Sequence, residues 1–175
     1  MKKRMRVMLH LKILSMMGKN HKKAAVIKKS GLFAGFGDDC YWHPDWIPSN
    51  PSMVEIGNNV TIAADVRIYD HDIIQRMWNN DPKYCGKFIT PQKGYVRIGD
   101  NSVICAKSII LYNINIGKNV VVGAGSVVTK DVPDFAIVAG SPAKVIGDTR
   151  ELMKKRLELS GVDITNYSYA DYFKE

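Results

Sequence analysis

Apolar residues recur every six positions along the second half of the chain. One series holds a single register of six aliphatic residues: Ile98, Ile104, Ile110, Ile116, Val122 and Val128. The residue that follows each of them is mostly small. An α-helix repeats every 3.6 residues and a lone strand every two, so a period of six fits neither, whereas it fits a short strand closed by a turn. The pattern therefore predicts a parallel β-solenoid, in which each coil buries its apolar face against the next.

The same period begins earlier, between residues 54 and 70. Two further series have the same spacing: Val54, Val60 and Val66, and Ile56, Ile62 and Ile68. Gly57 and the pair Asn58–Asn59 predict a corner there, because Gly and Asn tolerate the positive φ of tight corners. The register also reaches Ile146–Gly147, so we expect residues 134–147 to form an exit coil.

Two segments depart from the period inside the body, which we place at residues 31–147. Residues 71–95 form a long insertion, and such insertions are uncommon in a regular solenoid unless they are functional. Residues 31–53 are irregular and rich in proline, glycine and aromatic residues, which is typical of loops.

Helical spacing predicts helices at both ends of the chain. Residues 2–17 should form a helix ended by Gly18, and residues 20–30 a second one that begins at a cap, Asn20, and ends at Gly31. The first helix should turn one apolar side inward: Met5, Met8, Leu9, Ile13, Met16 and Met17. At the other end, residues 148–175 should comprise a helix and a tail. Its capping box would pair Asp148 with Glu151, and the helix would cover the end of the solenoid.

The net charge of +8 is concentrated in the arm formed by residues 1–30, which hold ten Lys and Arg and no acid. Such an arm could lie on an anionic membrane surface, or pack on the solenoid, which we favour. Nucleic-acid binding is disfavoured, since a basic arm without a nucleic-acid recognition motif is only weak evidence for it. We find no run long enough to span a bilayer and no signal peptide, and three unpaired cysteines agree with a reducing cytoplasm.

The tail of the repeats carries a resemblance to a known family. The stretch VVGAGSVVTKDVPDFAIVAGSPAKVIG, residues 121–147, resembles the C-terminal signature of the hexapeptide-repeat acyltransferases, and the likeness covers roughly residues 54–147. It implies a mainly β fold, a left-handed parallel β-helix with N-terminal and C-terminal helices. It also implies a homotrimer that uses acetyl-CoA as co-substrate, with no metal, and an insertion that folds over a neighbouring subunit.

The resemblance further implies where each substrate binds. Coenzyme A would lie between adjacent solenoids of the trimer, against these small and basic residues: Ala106, Gly123, Ala124, Thr129, Lys130 and Lys144. Residues outside the regular coils are candidates for contacting the acceptor: Tyr41, His43, Asp45, Asp72 and Trp78. The aromatic residues near position 41 could instead plug the first coil, and the two interpretations stay open.

His71 is the candidate general base. It ends the first clean coil where the insertion departs, at the position of the catalytic histidine in the sugar O-acetyltransferase branch, and imidazole changes charge near neutral pH. Its neighbours Asp70 and Asp72 are candidates to orient the ring, although adjacent residues rarely have the reach, and a backbone carbonyl is the other candidate. The sequence thus predicts transfer of acetyl to a hydroxyl of a sugar or polysaccharide precursor. The alternatives are an N-acyltransferase for an amino sugar and a zinc-binding solenoid, which would need three histidines where the repeat body has one.

Overall fold

The computed structural model describes residues 2–84, 86 and 88–160, and in that part of the chain short strands stack into three sheets. One sheet contains β1 (Gly35–Phe36), β3 (Val54–Ile56), β6 (Val96–Ile98) and β9 (Ile114–Ile116). Another contains β2 (Tyr41–Trp42), β4 (Thr61–Ile62), β7 (Val103–Ile104), β10 (Val121–Val122), β12 (Ala136–Gly140) and β13 (Ala143–Asp148). The remaining sheet contains β5 (Arg67–Ile68), β8 (Ile109–Ile110) and β11 (Val127–Val128). Each of the three central coils, β3–β5, β6–β8 and β9–β11, contributes one strand to each sheet, so the body is a parallel β-helix.

The six-residue register forms the core. Every member of the series from Ile98 to Val128 is no more than 3% exposed, and the two series between residues 54 and 68 are buried as well. Neighbouring coils pair in register, with Ile62 opposite Ile104 and Ile68 opposite Ile110. The predicted fold class, a mainly β left-handed parallel β-helix with terminal helices, is confirmed.

Left-handed residues turn the chain at the corners, as predicted for Asn59, whereas Gly57 does not have a positive φ. Asn59, Asn101 and Asn119 stack at one corner with φ of 51°, 57° and 57°. Asn113 turns another corner at φ 59°. A β-branched residue would be strained in this conformation, and Asn is tolerated because its side chain bonds locally.

The exit coil differs from the prediction. Only β12 continues the solenoid, after which the chain reverses at Ser141–Pro142 and β13 runs back antiparallel to β12. The predicted register therefore ends before Ile146, whose side chain is 67% exposed. Since β13 pairs with β12, this strand and not the C-terminal helix covers the edge of the last coil, and β13 becomes the edge strand of the sheet.

The C-terminal helix α4 (Thr149–Ser160) leans against the flank of the sheet that contains β10. Asp148 caps it, because the Asp148 Oδ1 atom accepts a hydrogen bond of 2.8 Å from the Arg150 N–H. The reciprocal half of the predicted capping box is replaced, since the Glu151 carboxylate bonds Lys154 Nζ at 2.9 Å. The predicted tail, residues 161–175, lies outside the described residues, as do Cys85 and Lys87 of the insertion.

The N-terminal helices dock on the first coil, as favoured, but through another face. α1 (Lys2–Met16) buries Val7, Leu11 and Leu14, while most of the predicted inward side is exposed. The inward residues recur at i, i+4 and i+7, and Arg4 fixes the helix by donating hydrogen bonds to the Ile47 and Pro48 carbonyls. The exposed apolar side consists of Met5, Leu9, Ile13 and Met16.

The second helix begins later than predicted. Residues Asn20–Lys22 form a 3-10 turn, and α2 spans Lys23–Ser30. Asn20 does not cap α2, because its side-chain oxygen accepts a hydrogen bond from Ser15 Oγ at 3.1 Å. Gly31 ends α2 in the left-handed conformation, as predicted. Among the helices of the described residues, none is both long and apolar enough to cross a membrane.

Candidate active site

The insertion leaves and rejoins the β-helix through a short antiparallel neck, in which residues 70–72 run alongside residues 92–94. The Asp72 N–H donates to the Gln92 carbonyl at 2.9 Å, and the Gly94 N–H donates to the Asp70 carbonyl at 3.1 Å. Between these bonds, His71 and Lys93 form an isolated antiparallel bridge. Gly94 is required here, because a Cβ atom would lie 2.5 Å from that of Asn113. The backbone of His71 is thus held on both sides.

The imidazole of His71 is oriented by Asp70, one of the partners that the sequence left open. The His71 Nδ1 and Asp70 Oδ1 atoms are 2.9 Å apart. The Asp70 side chain is 2% exposed and that of His71 is 35% exposed, so a buried carboxylate is bonded to a partly accessible ring. An ionised carboxylate only accepts hydrogen bonds, so the Nδ1 atom carries the proton and Nε2 is left as the acceptor. In the described part of the chain, no group hydrogen-bonds Nε2.

The second carboxylate oxygen of Asp70 is bonded from the first coil. Asn50 donates a hydrogen bond from Nδ2 to Asp70 Oδ2. Burial by itself acts to raise the pKa of Asp70, but hydrogen bonds from His71 and Asn50 outweigh it and hold this pKa below its ordinary value. Asp70 is therefore ionised at neutral pH, as an orienting partner for imidazole must be.

Asp72, predicted to contact the acceptor, is engaged by the next coil. The Tyr112 hydroxyl donates to Asp72 Oδ2 at 2.7 Å, and this bond to a carboxylate raises the pKa of Tyr112. His71 is thus flanked in sequence by two carboxylates, each held by a residue from another coil.

The insertion forms a small structure of its own beyond the neck. It contains α3 (Gln75–Asn79), and the Asn79 side chain closes it by bonding the backbone N–H and C=O of Ile89 at 2.9 and 2.8 Å. Trp78 and Asp72 are among the residues that line a cavity of about 150 Å³ beside the neck. The structure therefore brings Asp72 and Trp78 to His71's end of the insertion.

Asp45 is bound to the N-terminal arm. Its Oδ1 atom lies 2.6 Å from Lys23 Nζ and 2.7 Å from Ser15 Oγ, and Lys23 is fully buried. Lys23 Nζ also donates to the His43 carbonyl. The contacts give Asp45 a structural role, since it neutralises a buried ammonium where the arm meets the first coil.

The aromatic residues of the first coil plug its open end. Trp42 is 1% exposed and packs edge to face against Phe33, with ring centroids 5.6 Å apart. This confirms the plugging interpretation for Trp42. Tyr41 and His43 flank it with ring centroids 6.3 Å apart and are only half-buried.

The six predicted coenzyme residues lie in two places. Ala106, Gly123 and Ala124 stack at one corner, and Lys144 on β13 pairs with Ala139 above Gly123. Thr129 and Lys130 follow β11, and His71 follows β5 in the same sheet. The two residues therefore lie at the same corner as His71, two coils further along the β-helix.

Sequence reasoning missed Asn50 and Tyr112. Asn50 lies in an irregular segment where spacing carries no information. Tyr112 lies at a corner after β8, where the six-residue spacing gives no sign of its contact with Asp72. Among the residues that the structure describes, no group of three or more His, Cys, Asp or Glu side chains could hold a metal ion.

Comparison with known proteins agrees with this geometry. The family described as Bacterial transferase hexapeptide (six repeats) matches residues 95–130. Over 110 residues the chain is 34% identical to YvoF of Bacillus subtilis, which is named as an acetyltransferase, and the match covers 63% of this chain. The chain spans little more than half of that relative, 56% of its length.

Two solved structures share the fold over most of the chain. A maltose O-acetyltransferase from Clostridium difficile superposes with a TM-score of 0.52 and 26% identity, covering 84% of this chain and 86% of that one. A galactoside acetyltransferase in complex with coenzyme A gives a TM-score of 0.58 and 25% identity, covering 87% and 84%. Residues 95–130 therefore carry the repeats of the bacterial transferase hexapeptide family, on a fold shared with maltose and galactoside acetyltransferases, as the resemblance predicted.

Proposed function

We propose that the protein transfers an acetyl group from acetyl-CoA to a hydroxyl of a sugar or polysaccharide precursor. The observation that carries the proposal is the pair of Asp70 and His71, because a buried carboxylate orients an accessible imidazole at the mouth of the insertion. The likeness to a maltose O-acetyltransferase and to a galactoside acetyltransferase supports this choice of substrates.

In the proposed reaction, His71 Nε2 accepts the proton of the acceptor hydroxyl while the oxygen of that hydroxyl bonds to the acetyl carbonyl carbon. The carbon–sulfur bond then breaks, and the imidazolium returns the proton to the departing thiolate. The acetyl ester and free coenzyme A are the products. Asp70 stabilises the imidazolium between the two steps, since an adjacent carboxylate favours the charged ring.

The coenzyme residues stay part of the proposal. Ala106, Gly123 and Ala124 present a corner of small side chains on which pantetheine can contact backbone groups. Lys130 and Lys144 are exposed cations that suit the phosphates of coenzyme A. Trp78, Tyr41 and His43 are the acceptor contacts that we retain, because their side chains are half-buried and accessible.

A thiol-release assay with acetyl-CoA tests the proposal against a panel of sugars, nucleotide sugars and amino sugars. Release that depends on a hydroxyl acceptor is the expected result. Release that depends on the amine of an amino sugar would replace the proposal by the N-acyltransferase alternative. A panel without any acceptor-dependent release would remove the proposal for these substrate classes.

We propose a homotrimer as the active form. A cavity of about 530 Å³ opens between α4 and the β10 sheet and is lined largely by apolar groups, among them Val121, Phe135 and Met153. A neighbouring solenoid could cover such a surface and close the coenzyme groove. Light scattering at micromolar concentration should give three times the mass of one chain, and a monomer would count against a shared site.

We place the protein in the cytoplasm, in peripheral contact with the inner face of the membrane through residues 1–30. The outward apolar side of α1, with basic residues around it and no acid in residues 1–30, supports this contact. Co-sedimentation should therefore occur with anionic vesicles and weaken when residues 1–17 are removed. Equal sedimentation of both forms would leave α1 as a docked helix only.

A further inference from the structure

Asn50 reaches out of its own segment to the carboxylate behind His71. It precedes a 3-10 turn, Pro51–Met53, where an Asn side chain commonly caps the turn. Here the side chain makes no such cap. Its amide instead donates to Asp70, twenty residues along the chain. The contact therefore links the irregular first coil to the candidate active site.

The backbone around Asn50 is fixed, and this fixes the position of its side-chain amide. Pro51 is buried, and its carbonyl accepts a hydrogen bond of 3.2 Å from Ala34 N–H. A residue before proline is restricted to extended conformations, and Asn50 has φ −120° and ψ 79°. The Asn50 carbonyl closes the turn by accepting from Met53 N–H at 2.9 Å.

We propose that Asn50 is a positioning residue for the acetyl transfer, which holds the Asp70 carboxylate so that its other oxygen faces His71 Nδ1. The inference rests on the proposed function of His71. Asp70 is 2% exposed, so Asn50 is the donor that the fold provides for its Oδ2 atom, and water admitted in place of the exposed Asn50 side chain would not fix the carboxylate. A carboxylate bonded at one oxygen only can turn about its own axis, and the imidazole then loses a fixed partner.

The variants Asn50→Ala and Asn50→Asp separate this role from a role in the turn. Asn50→Ala should lower kcat by about 10–100-fold, the usual cost of removing an outer partner of a functional side chain. The KM for acetyl-CoA should stay within about twofold, because coenzyme binding uses other residues. Asn50→Asp keeps the shape and the turn preference but sets a second carboxylate against Asp70, so its loss of kcat should be at least as large.

Asn58→Ala is the matched control. Asn58 also donates its side-chain amide to a carboxylate of another coil, that of Asp100 at 3.4 Å, at a corner without a histidine. The kcat of Asn58→Ala should remain within about twofold of wild type, because this substitution removes an inter-coil contact that touches no reacting group. In a protein that already carries Asp70→Asn, adding Asn50→Ala should lower kcat by less than about threefold, since effects of residues acting through one group are not additive.

Three results would overturn the proposal for Asn50. One is a wild-type kcat in both Asn50 variants. Another is a loss of kcat that follows loss of folded protein in thermal unfolding. The last is an effect of Asn50→Ala that is undiminished in the Asp70→Asn background. If the proposed function of His71 were wrong instead, the His71→Ala variant would retain full activity, so the two failures can be told apart.

Discussion

Replacing His71 by alanine should lower kcat by about 10²–10⁴-fold, the usual size of general-base catalysis. The fold should survive, because the side chain lies at the mouth of the insertion and outside the aliphatic columns of the core. The KM for acetyl-CoA should change little, since proton abstraction and coenzyme binding use different residues. Steady-state kinetics, with circular dichroism to verify the fold, measures this result.

His43→Ala is the control for His71. Both histidines are half-buried and both belong to the β-helix body, but the side chain of His43 lies on the first coil beside Tyr41. Its replacement should affect the acceptor KM at most. Full kcat in His71→Ala, together with an inactive His43→Ala, would move the base to the first coil.

Replacing Asp45 by asparagine should destabilise the protein by about 3–5 kcal/mol, because it leaves the buried Lys23 ammonium without a counter-ion. For a chain of this length the midpoint of thermal unfolding should fall by roughly 6–20 °C. Scanning calorimetry measures the change. Wild-type unfolding together with a raised acceptor KM would restore Asp45 as an acceptor contact.

Lys23→Met is the matched variant for Asp45→Asn. It removes the buried charge and keeps an unbranched apolar chain, and the side chain of Asp45 is 44% exposed and can be solvated. The cost should therefore be about 1 kcal/mol or less. The double variant should be more stable than Asp45→Asn alone, because the uncompensated ammonium is gone.

The same pair predicts how stability depends on pH. Burial acts to raise the pKa of Asp45, but hydrogen bonds from Lys23 and Ser15 keep it below its ordinary value. Because the folded pKa lies below the unfolded one, of about 3.9, this contribution is complete above that pH and is lost as the pH falls through the folded pKa. Wild-type protein should therefore lose this part of its stability on acidification, while Asp45→Asn has no carboxyl there to titrate.

The β-helix could be predicted because its period is written directly in the aliphatic residues. Each coil repeats the same burial, so Ile98 and Val128 satisfy the same spatial requirement as the members of the six-residue series between them. The corner at Asn59 was predictable for a similar reason, since Asn59 adopts a conformation that few residue types tolerate. The end of the solenoid was not, because the six-residue spacing of Ile146 persists after the chain has reversed direction.

The details of the site depended on tertiary contacts that no local pattern encodes. His71 could be singled out by its place at the start of the insertion. Its partner stayed open between Asp70, Asp72 and a backbone carbonyl, because adjacent side chains seldom meet, and the structure pairs the ring with Asp70. The α1 face was also misassigned, since docking selected Val7, Leu11 and Leu14 over the longer apolar stripe.

The most direct test of the central claim is to identify the bond formed when the protein, acetyl-CoA and an accepted sugar are incubated together. Nuclear magnetic resonance of the product should show an acetyl ester on a sugar hydroxyl with wild-type protein. The ester should appear with His71→Ala at a rate lower by the factor found for kcat. An acetyl amide, or an ester formed equally fast without the imidazole of His71, would contradict the account.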